Sequence, residues 1–267
     1  MSLIVIKFGG TSVGSIKKIK NVVNIVEKES KYNKLIVVVS AMAGVTNQMQ
    51  GYIDEIGSQE KLENDLLLTS GENVTIGLLS ILLKQKKIKS IPLLGWQVPI
   101  ITDSNHQKAK ILNIDKKRID SFFKNNDVIV LAGFQGINQK GEVTSLGRGG
   151  SDTTAVAIAS SVNAEGCDIY TDVEGVYSTD PNIVPEAKKI DKLAFEEMLE
   201  MSSTGAKVLH TRSVELAMKN NLKLQVLSSI TQNPGTFVID EKNLIEKEIV
   251  SGVSYSENES KITISGI

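Results

Sequence analysis

The chain has 267 residues, of which 41% are hydrophobic, so it is long enough and apolar enough to bury a substantial core. Its formal net charge of −1 excludes the general positive field that attracts nucleic acid or a membrane surface. The single cysteine, Cys167, excludes an internal disulfide, and we expect it to be a buried core residue. No apolar run approaches the roughly 20 residues of a membrane span, and Lys7 interrupts the first apolar stretch before it resembles a signal peptide. We therefore expect a cytoplasmic protein with neither a nucleic-acid nor a membrane partner.

Strands and helices alternate from the amino terminus. Residues 3–8 and 35–39 are continuous apolar, β-branched runs, the pattern of strands buried on both faces of a parallel sheet. Between them, Ile19, Val22 and Val26 recur at helical spacing. The alternation continues with predicted helices at 72–86, 114–123 and 153–162 and predicted strands at 91–94, 128–131 and 168–171. It predicts an open, mostly parallel α/β sheet.

The remainder of the chain predicts shorter helices and strands, and its last residues have a different sequence pattern. These elements are helices at 195–201 and 213–219 and strands at 223–227 and 236–239. The final residues, GVSYSENESKITISGI, form two short alternating stretches around a polar turn, without room to close a sheet. We therefore predict one large domain over 1–240 and, over 241–267, the first piece of another domain.

Polar and glycine-rich segments follow the predicted strands. Ligands of open α/β sheets collect at the carboxyl ends of the strands, so these segments are the candidate binding site. They are KFGGTS at the first strand, SAMAGVTN after the second, TSLGRGGSDTT before the helix at 153–162, and TDVEGVYSTDP after the strand at 168–171.

The first of these segments pairs a lysine with two glycines. Adjacent glycines allow backbone N–H groups to approach a phosphate and Lys7 adds a point charge, so Gly9 and Gly10 predict a phosphate cradle. A tight strand-to-helix turn with an incidental lysine explains the two glycines equally well. The segment has neither the Gly-Lys-Ser/Thr end of a Walker A loop nor the glycine spacing of a dinucleotide-binding loop.

Two further segments combine charge with a predicted helix start. The chain contains only three arginines, so an arginine at a helix entrance, Arg148, indicates that its planar guanidinium group is needed there, for instance to bind a carboxylate. Ser151 adds a hydrogen-bond donor for anions. Asp152 is either the N-cap of that helix or a carboxylate that orients lysine side chains. Glu72 is either a favourable first-turn charge or the acceptor of a substrate ammonium group. The sequence leaves these alternatives open.

Together and in order, these blocks resemble the aspartate kinases (aspartokinases) of the amino acid kinase family. The resemblance covers nearly the whole chain, through KFGGTSVG, VVVSAMAGVTN, TSGENVTIGLLS, GFQG, TSLGRGGSDTTAVAIA, DIYTDVEGVYSTDPNIVPEAKKI and FEEMLEMSSTGAKVLHTRSVELA. It implies a three-layer α/β/α sandwich of the amino acid kinase (carbamate kinase-like) fold. It also implies transfer of the γ-phosphoryl group of ATP to the β-carboxylate of L-aspartate, giving 4-phospho-L-aspartate. That reaction is the first step of lysine, threonine and methionine (diaminopimelate) biosynthesis.

The resemblance also implies a role for individual residues. The catalytic residues would be Lys7, Asp152 and Lys207. The aspartate pocket would contain Ser40, Thr46, Glu72, Arg148 and Ser151. The nucleotide side would contain Lys7, Gly9, Gly10, Thr11, Thr171, Asp172, Tyr177, Asp180 and Lys207. No residue is assigned to a metal held by the protein itself, since Mg²⁺ would arrive bound to ATP.

The chain departs from the family pattern in four respects, one of which is Leu227 in place of the arginine that commonly precedes the serines of the strand before PGT. The arginine that usually follows Asp-Pro in the nucleotide loop is replaced by Asn182, which puts the affinity for ATP in doubt. The usual His-Pro-Arg is His210-Thr211-Arg212. Family members continue into ACT regulatory domains, whereas this chain stops at what resembles a linker and the first ACT strands in 241–267. We therefore expect no feedback by lysine or threonine in this polypeptide, and a homodimer weakened by the absence of that region.

Two alternatives remain from the sequence. One is another carboxylate kinase of the same fold, such as acetylglutamate kinase or glutamate 5-kinase, against which GRGGSDTTA and YTDVEGVYSTDP favour aspartate. The other is a catalytically silent amino-acid-binding or assembly subunit, against which the presence of Lys7, Asp152 and Lys207 argues.

Overall fold

The computed structural model describes residues 1–205, 208–231, 233–244 and 250–254. The strands are β1 (Ser2–Phe8), β2 (Asn33–Val39), β3 (Ser90–Leu93), β4 (Ile100–Thr102), β5 (Ile111–Ile114), β6 (Val128–Ala132), β7 (Gln135–Ile137), β8 (Val143–Ser145), β9 (Gly166–Thr171), β10 (Lys192–Ala194), β11 (Leu224–Ser228) and β12 (Thr236–Ile239). The helices are α1 (Ile16–Glu29), α2 (Val45–Ile56), α3 (Lys61–Leu68), α4 (Ser70–Gln85), α5 (Lys116–Phe122), α6 (Gly150–Val162), α7 (Phe195–Ser203) and α8 (Thr211–Lys219). A short 3-10 helix covers Glu241–Asn243.

The centre of the molecule is an eight-stranded sheet in the order β10-β12-β11-β9-β1-β2-β6-β3. All neighbouring pairs are parallel except β11 with β12, which confirms the mostly parallel sheet predicted from the sequence. β1 lies in the middle, and Lys7 is in register with Val38 of β2 and Ile169 of β9. The carboxyl end of β1 therefore lies between the carboxyl ends of β2 and β9.

Helices cover both faces of this sheet and produce three layers. On one face α1 and α4 bury their apolar side chains against β1, β2 and β6; in α1 these are the helically spaced Ile19, Val22, Val23 and Val26. On the other face α5, α6, α7 and α8 close a second core, which contains Cys167. Complete burial raises the pKa of the Cys167 thiol well above its usual range, so this residue has the inert core character expected of it.

A second, four-stranded sheet was not predicted from the sequence. Its order is β5-β4-β7-β8, with antiparallel outer pairs and a parallel central pair. The helix predicted over 114–123 is correspondingly wrong at its start, because β5 ends at Ile114 and α5 begins only at Lys116. Asp115 caps that helix by accepting a hydrogen bond from Arg118 N at 3.0 Å. This small sheet carries β8, which leads directly into the segment around Arg148.

The helices α3 and α4 correct one further expectation. Together they form a stretch, Lys61–Gln85, that is long and apolar enough by length and composition to cross a membrane, although no such run was expected. Half of its most apolar window is buried inside the fold, as in a core helix of a globular domain. The side chains of α4 pack against β3 and β6 and belong to the core shared with α1, whereas α3 contacts β8 of the small sheet.

The described part of the carboxyl-terminal segment lies against the main body. Val253 N donates a hydrogen bond to Ser178 O at 2.7 Å, and the Ser251 hydroxyl donates to Glu197 Oε1 at 2.5 Å. The second domain predicted for 241–267 falls mostly on residues 245–249 and 255–267, which lie outside the described residues. That division of the chain stays a prediction.

Candidate active site

Loops from several strands meet at the carboxyl edge of the large sheet. The loop after β1 touches the loop after β2, because Ala43 N donates to Gly10 O at 3.1 Å. It also touches the loop after β11, through Ser12 Oγ and Ser229 Oγ at 2.8 Å. Gly133, after β6, donates from its N–H to Val39 O at 3.0 Å. The segments after β1, β2, β6 and β11 are therefore in contact along this edge.

A buried ion pair occupies the middle of this edge. Lys7 lies at the end of β1 with its Nζ 2.6 Å from Oδ1 of Asp152, and the two side chains are only 11% and 13% exposed. Asp152 lies in the first turn of α6, whose N-cap is Gly149 in the left-handed conformation, with φ of 70°. Asp152 is therefore not the N-cap, which was one of its two possible roles. It is the carboxylate that orients Lys7.

The two glycines after β1 bring the backbone close to this ion pair. A Cβ on Gly9 would lie 3.3 Å from Lys7 Nζ, and a Cβ on Gly10 would lie 2.9 Å from Ala41 O. Within the described part of the chain, the N–H groups of Gly10 and Thr11 donate to no main-chain or side-chain acceptor. They are available to an anion placed next to the Lys7 ammonium group.

Glu72, near the start of α4, has one satisfied oxygen and one unsatisfied oxygen. Its Oε1 accepts a hydrogen bond from Ala41 N at 2.9 Å, whereas its buried Oε2 has no hydrogen-bond partner among the residues that the structure describes. The residue is only 2% exposed, and this burial raises the pKa of its carboxyl group to about 7 despite the lowering effect of the hydrogen bond from Ala41. A buried carboxylate with a free oxygen is suited to a cationic donor from a ligand.

Arg148 lies on an exposed turn flanked by glycines with positive φ, 77° at Gly147 and 70° at Gly149. Its guanidinium has no partner within the described ranges, so the planar fork is free for a ligand. Ser151, in the first turn of α6, is buried, and its hydroxyl lies 2.8 Å from the place that a Cβ on Gly133 would occupy. A larger residue than glycine at 133 would displace this hydroxyl.

The remaining predicted residues are distributed around the same edge. Ser40 directly follows β2 and Thr46 lies in the first turn of α2, and both are half-buried. The Thr171 hydroxyl, at the end of β9, accepts from Val173 N at 3.0 Å and so shapes its own turn. Asp172 and Thr11 are exposed.

Two of the predicted nucleotide-side residues lie further along the loop after β9. Tyr177 forms an isolated antiparallel bridge with Lys189, and Asp180 Oδ1 accepts from Asn182 N at 2.8 Å and from Asn182 Nδ2 at 3.0 Å. None of the contacts among described residues joins either of them to the Lys7–Asp152 pair. Lys207 lies outside the described residues, and its role stays a prediction.

Arg212 is a residue of this edge that the sequence reasoning missed. Its guanidinium donates to Leu146 O at 2.7 Å and to Ala109 O at 2.8 Å, which fixes the approach to the Arg148 turn. The scarcity of arginine, which drew attention to Arg148, applied equally to this position. His210 packs its ring directly on Gly149, where only glycine fits.

The fold and the edge together define an α/β/α protein whose candidate site consists of a lysine, a glycine turn and a helix-borne carboxylate. Residues 2–228 match the sequence model of the Amino acid kinase family, and the chain belongs to this family.

Two kinds of relatives are similar to the chain. It is 48% identical over 270 residues to an aspartate kinase of Pseudomonas putida, covering 100% of this chain and 66% of that protein. The chain thus spans just under two thirds of that relative's length. Among solved structures, an aspartate kinase from Synechocystis superposes with a TM-score of 0.79 at 42% identity, covering 90% of this chain and 40% of that chain. E. coli aspartokinase III in complex with aspartate and ADP superposes with a TM-score of 0.78 at 27% identity, covering 89% and 64%.

Proposed function

We propose that the chain is the catalytic part of an aspartate kinase, which converts ATP and L-aspartate to ADP and 4-phospho-L-aspartate. The observation that carries the proposal is the buried Lys7–Asp152 pair beside the open backbone N–H groups after β1. A lysine fixed by a carboxylate presents its charge at a constant position, where it can stabilise a transferring phosphoryl group. The whole-length resemblance to proteins named aspartate kinase supports this choice of substrate.

The chemistry requires positioning more than acid or base catalysis. The β-carboxylate of aspartate has an ordinary pKa of about 3.9, so it is already an anion and needs no general base. Its approach to the γ-phosphate brings two anions together. Lys7 and the N–H groups of Gly10 and Thr11 offset that repulsion, and we assign Lys207 the same task from the nucleotide side.

We assign the aspartate molecule an orientation from the two charged ends of the candidate pocket. Arg148 binds the α-carboxylate through parallel hydrogen bonds, and the ammonium group donates to the unsatisfied Oε2 of Glu72. Ser40, Thr46 and Ser151 supply neutral donors and acceptors between these ends. The β-carboxylate then points toward Lys7.

We assign the nucleotide to the loop after β9, where Thr171, Asp172, Tyr177 and Asp180 lie. Bound Mg²⁺ would neutralise charge on the β- and γ-phosphates. Residues 1–205, 208–231, 233–244 and 250–254 contain no group of three His, Cys, Asp or Glu side chains able to hold a metal ion. We assign Mg²⁺ to the nucleotide, since this ion keeps several waters and is commonly bound through substrate phosphates.

The wider setting follows from the same resemblance. We propose a cytoplasmic enzyme at the start of lysine, threonine and methionine biosynthesis, with a regulatory ACT region beginning in 241–267 and assembly as a homodimer. Size measurement by light scattering tests the assembly.

The deciding experiment is the ATP-dependent formation of aspartyl hydroxamate from L-aspartate and hydroxylamine. Hydroxylamine traps an acyl phosphate, so colour that depends on both ATP and aspartate identifies the reaction. Acetylglutamate and glutamate are run in parallel, because either of them as the better acceptor would indicate another carboxylate kinase of this fold. No hydroxamate with any acceptor, from protein that binds aspartate, would indicate a silent binding subunit and refute the proposal.

A further inference from the structure

Asp65, in the middle of α3, is a fully buried carboxylate outside the residues assigned above. It is 0% exposed, and both of its oxygens accept hydrogen bonds. Ser145 donates from its hydroxyl to Oδ1 at 2.5 Å and from its N–H to Oδ2 at 3.0 Å. Gln107 N lies 3.1 Å from each oxygen, and His106 Nδ1 lies 2.8 Å from Oδ2. Burying a carboxylate is costly, and these donors are what offset the cost.

The donors to Asp65 come from two segments that shape the Arg148 turn. Gln107 has φ of 67°, a left-handed conformation that is unfavourable for a side-chain-bearing residue, so the loop at 105–108 needs an external partner to hold it. Its carbonyl oxygen lies 2.7 Å from the position of a Cβ on Gly147, so this loop packs directly against the turn. Ser145, the other donor, precedes Arg148 by only three residues.

The helical turn that contains Asp65 is also connected, through its main-chain carbonyl, to the segment that carries Glu72. Thr69, in the break between α3 and α4, donates its N–H to Asp65 O at 3.0 Å and its hydroxyl to the same atom at 2.8 Å. Gln135 Nε2 donates in turn to Thr69 O at 3.2 Å. The start of α4, and with it Glu72, is therefore held to the same helical turn that grips the Arg148 segment.

We propose that Asp65 is a positioning residue that fixes the separation between the Arg148 guanidinium and the Glu72 carboxylate. This inference rests on the proposed function, in which those two groups bind the α-carboxylate and the ammonium group of one amino-acid substrate. Asp65 does not touch that substrate. It joins the elements that carry the two binding groups. The distance between these groups then matches the distance between the ammonium and α-carboxylate groups of an α-amino acid. Asp65 has no corresponding role in the binding of ATP.

The test is Asp65→Asn, which keeps the shape of the side chain. It replaces one accepting oxygen with an NH₂ group, which cannot accept a hydrogen bond from the surrounding donors. We expect the KM for L-aspartate to rise by about tenfold or more, because displacing a binding group by about 1 Å is sufficient for such an effect. We expect the KM for ATP to stay within about twofold. Both are measured at a temperature where circular dichroism shows the variant to be folded.

A matched control separates positioning from general loss of structure. Thr144→Val removes a fully buried hydrogen bond, 2.6 Å to the Thr102 hydroxyl, from the same strand as Ser145 without touching Asp65. We expect it to lower the melting temperature and leave the ratio of the two KM values unchanged. Ser145→Ala, which removes one donor to Asp65, shifts that ratio in the direction of Asp65→Asn by a smaller factor.

The outcomes are distinct for the inference and for the proposed function. Equal changes of both KM values in Asp65→Asn, or the same selective change in Thr144→Val, would overturn the positioning role. Should Asp65→Asn fail to fold, Ser145→Ala decides, and an unchanged KM for aspartate there overturns it. Wild-type protein that neither uses aspartate nor gains thermal stability from it refutes the proposed function, and the inference falls with it. Wild-type protein stabilised by aspartate, with that shift lost in Asp65→Asn, supports the inference independently of turnover.

Discussion

Glu72→Gln should make the ligand-free protein more stable at neutral pH while weakening its binding of aspartate. The substituted amide can still accept the hydrogen bond from Ala41 N through its oxygen, and its nitrogen takes the place of the unsatisfied Oε2. The substitution removes a buried charge without opening a cavity. In the proposed pocket it also removes the partner of the substrate ammonium group, so the KM for aspartate should rise as stability rises.

The magnitude follows from the pKa of the Glu72 carboxyl. Burial raises it to about 7 from an unfolded value of 4.5, so the folded state holds a proton that the unfolded state has lost between these two pH values. The stability that the neutral carboxyl provides is complete below pH 4.5 and is lost as the pH rises through about 7. The gap between the two pKa values corresponds to about 3 kcal/mol. The stability advantage of Glu72→Gln over wild type should therefore grow by about 3 kcal/mol from about pH 4.5 to about pH 8.

Urea unfolding of both proteins across this pH range measures the difference directly. Burial also raises the pKa of the Asp168 carboxyl to about 7, but that group is present in both proteins and cancels in the comparison. Saturating L-aspartate should reduce the pH dependence in wild type and leave that of the variant unchanged. A stability difference that stays flat with pH would show that Glu72 remains charged in the folded protein and would refute the reasoning.

Three further substitutions test other parts of the site. Lys7→Ala should lower kcat at least 100-fold in the hydroxamate assay while the far-ultraviolet circular dichroism spectrum is retained, and near-normal turnover would exclude the role of Lys7. Arg148→Lys should raise the KM for aspartate about tenfold through loss of the bidentate geometry, and a matching rise in the KM for ATP would contradict that assignment. Gly149→Ala should lower the free energy of unfolding, measured in urea, by about 3 kcal/mol, since the new Cβ overlaps the His210 ring. The control Gly57→Ala, at a position with φ of 67° and open space around it, should lower it by only about 1 kcal/mol. Equal costs at the two glycines would show that the ring moves away freely.

The large sheet was predictable because its central strands are buried on both faces. Residues 35–39 of β2 and 128–132 of β6 are continuously apolar, and β1 is apolar except for Ser2 and Lys7. The helical spacing of α1 survives intact as its buried face. The small sheet was not predictable, because strands of three or four residues such as β4 and β8 are too short for an alternating pattern. The helix α2 was missed although Val45, Met49, Ile53 and Ile56 recur at helical spacing, and of these residues only Ile53 is buried.

The candidate site was predictable where a motif lies next to a strand end, and unpredictable where the structure joins distant segments. Lys7 and Asp152 are 145 positions apart in the chain, and only the family resemblance, together with the rule that ligands collect at strand ends, placed them together. Asp65 gave no sequence signal, because an aspartate within an apolar helix is recognised as unusual only when its donors at 106, 107 and 145 are seen. For Asp152 the local sequence was misleading, since it favoured an N-cap role, whereas the N-cap of α6 is Gly149.

The contact of residues 250–254 with the loop after β9 has a mechanical consequence. Val253 supplies a hydrogen-bond donor to Ser178, and Ser178 lies between Tyr177 and Asp180, the side chains we assign to the nucleotide. Ser251 is tied to Glu197, whose other oxygen caps the start of α7. A displacement of this short stretch therefore removes a donor from the nucleotide loop while leaving the Lys7–Asp152 pair untouched. In the proposed site, a force applied at the carboxyl-terminal side of the body would therefore act first on the segment assigned to ATP.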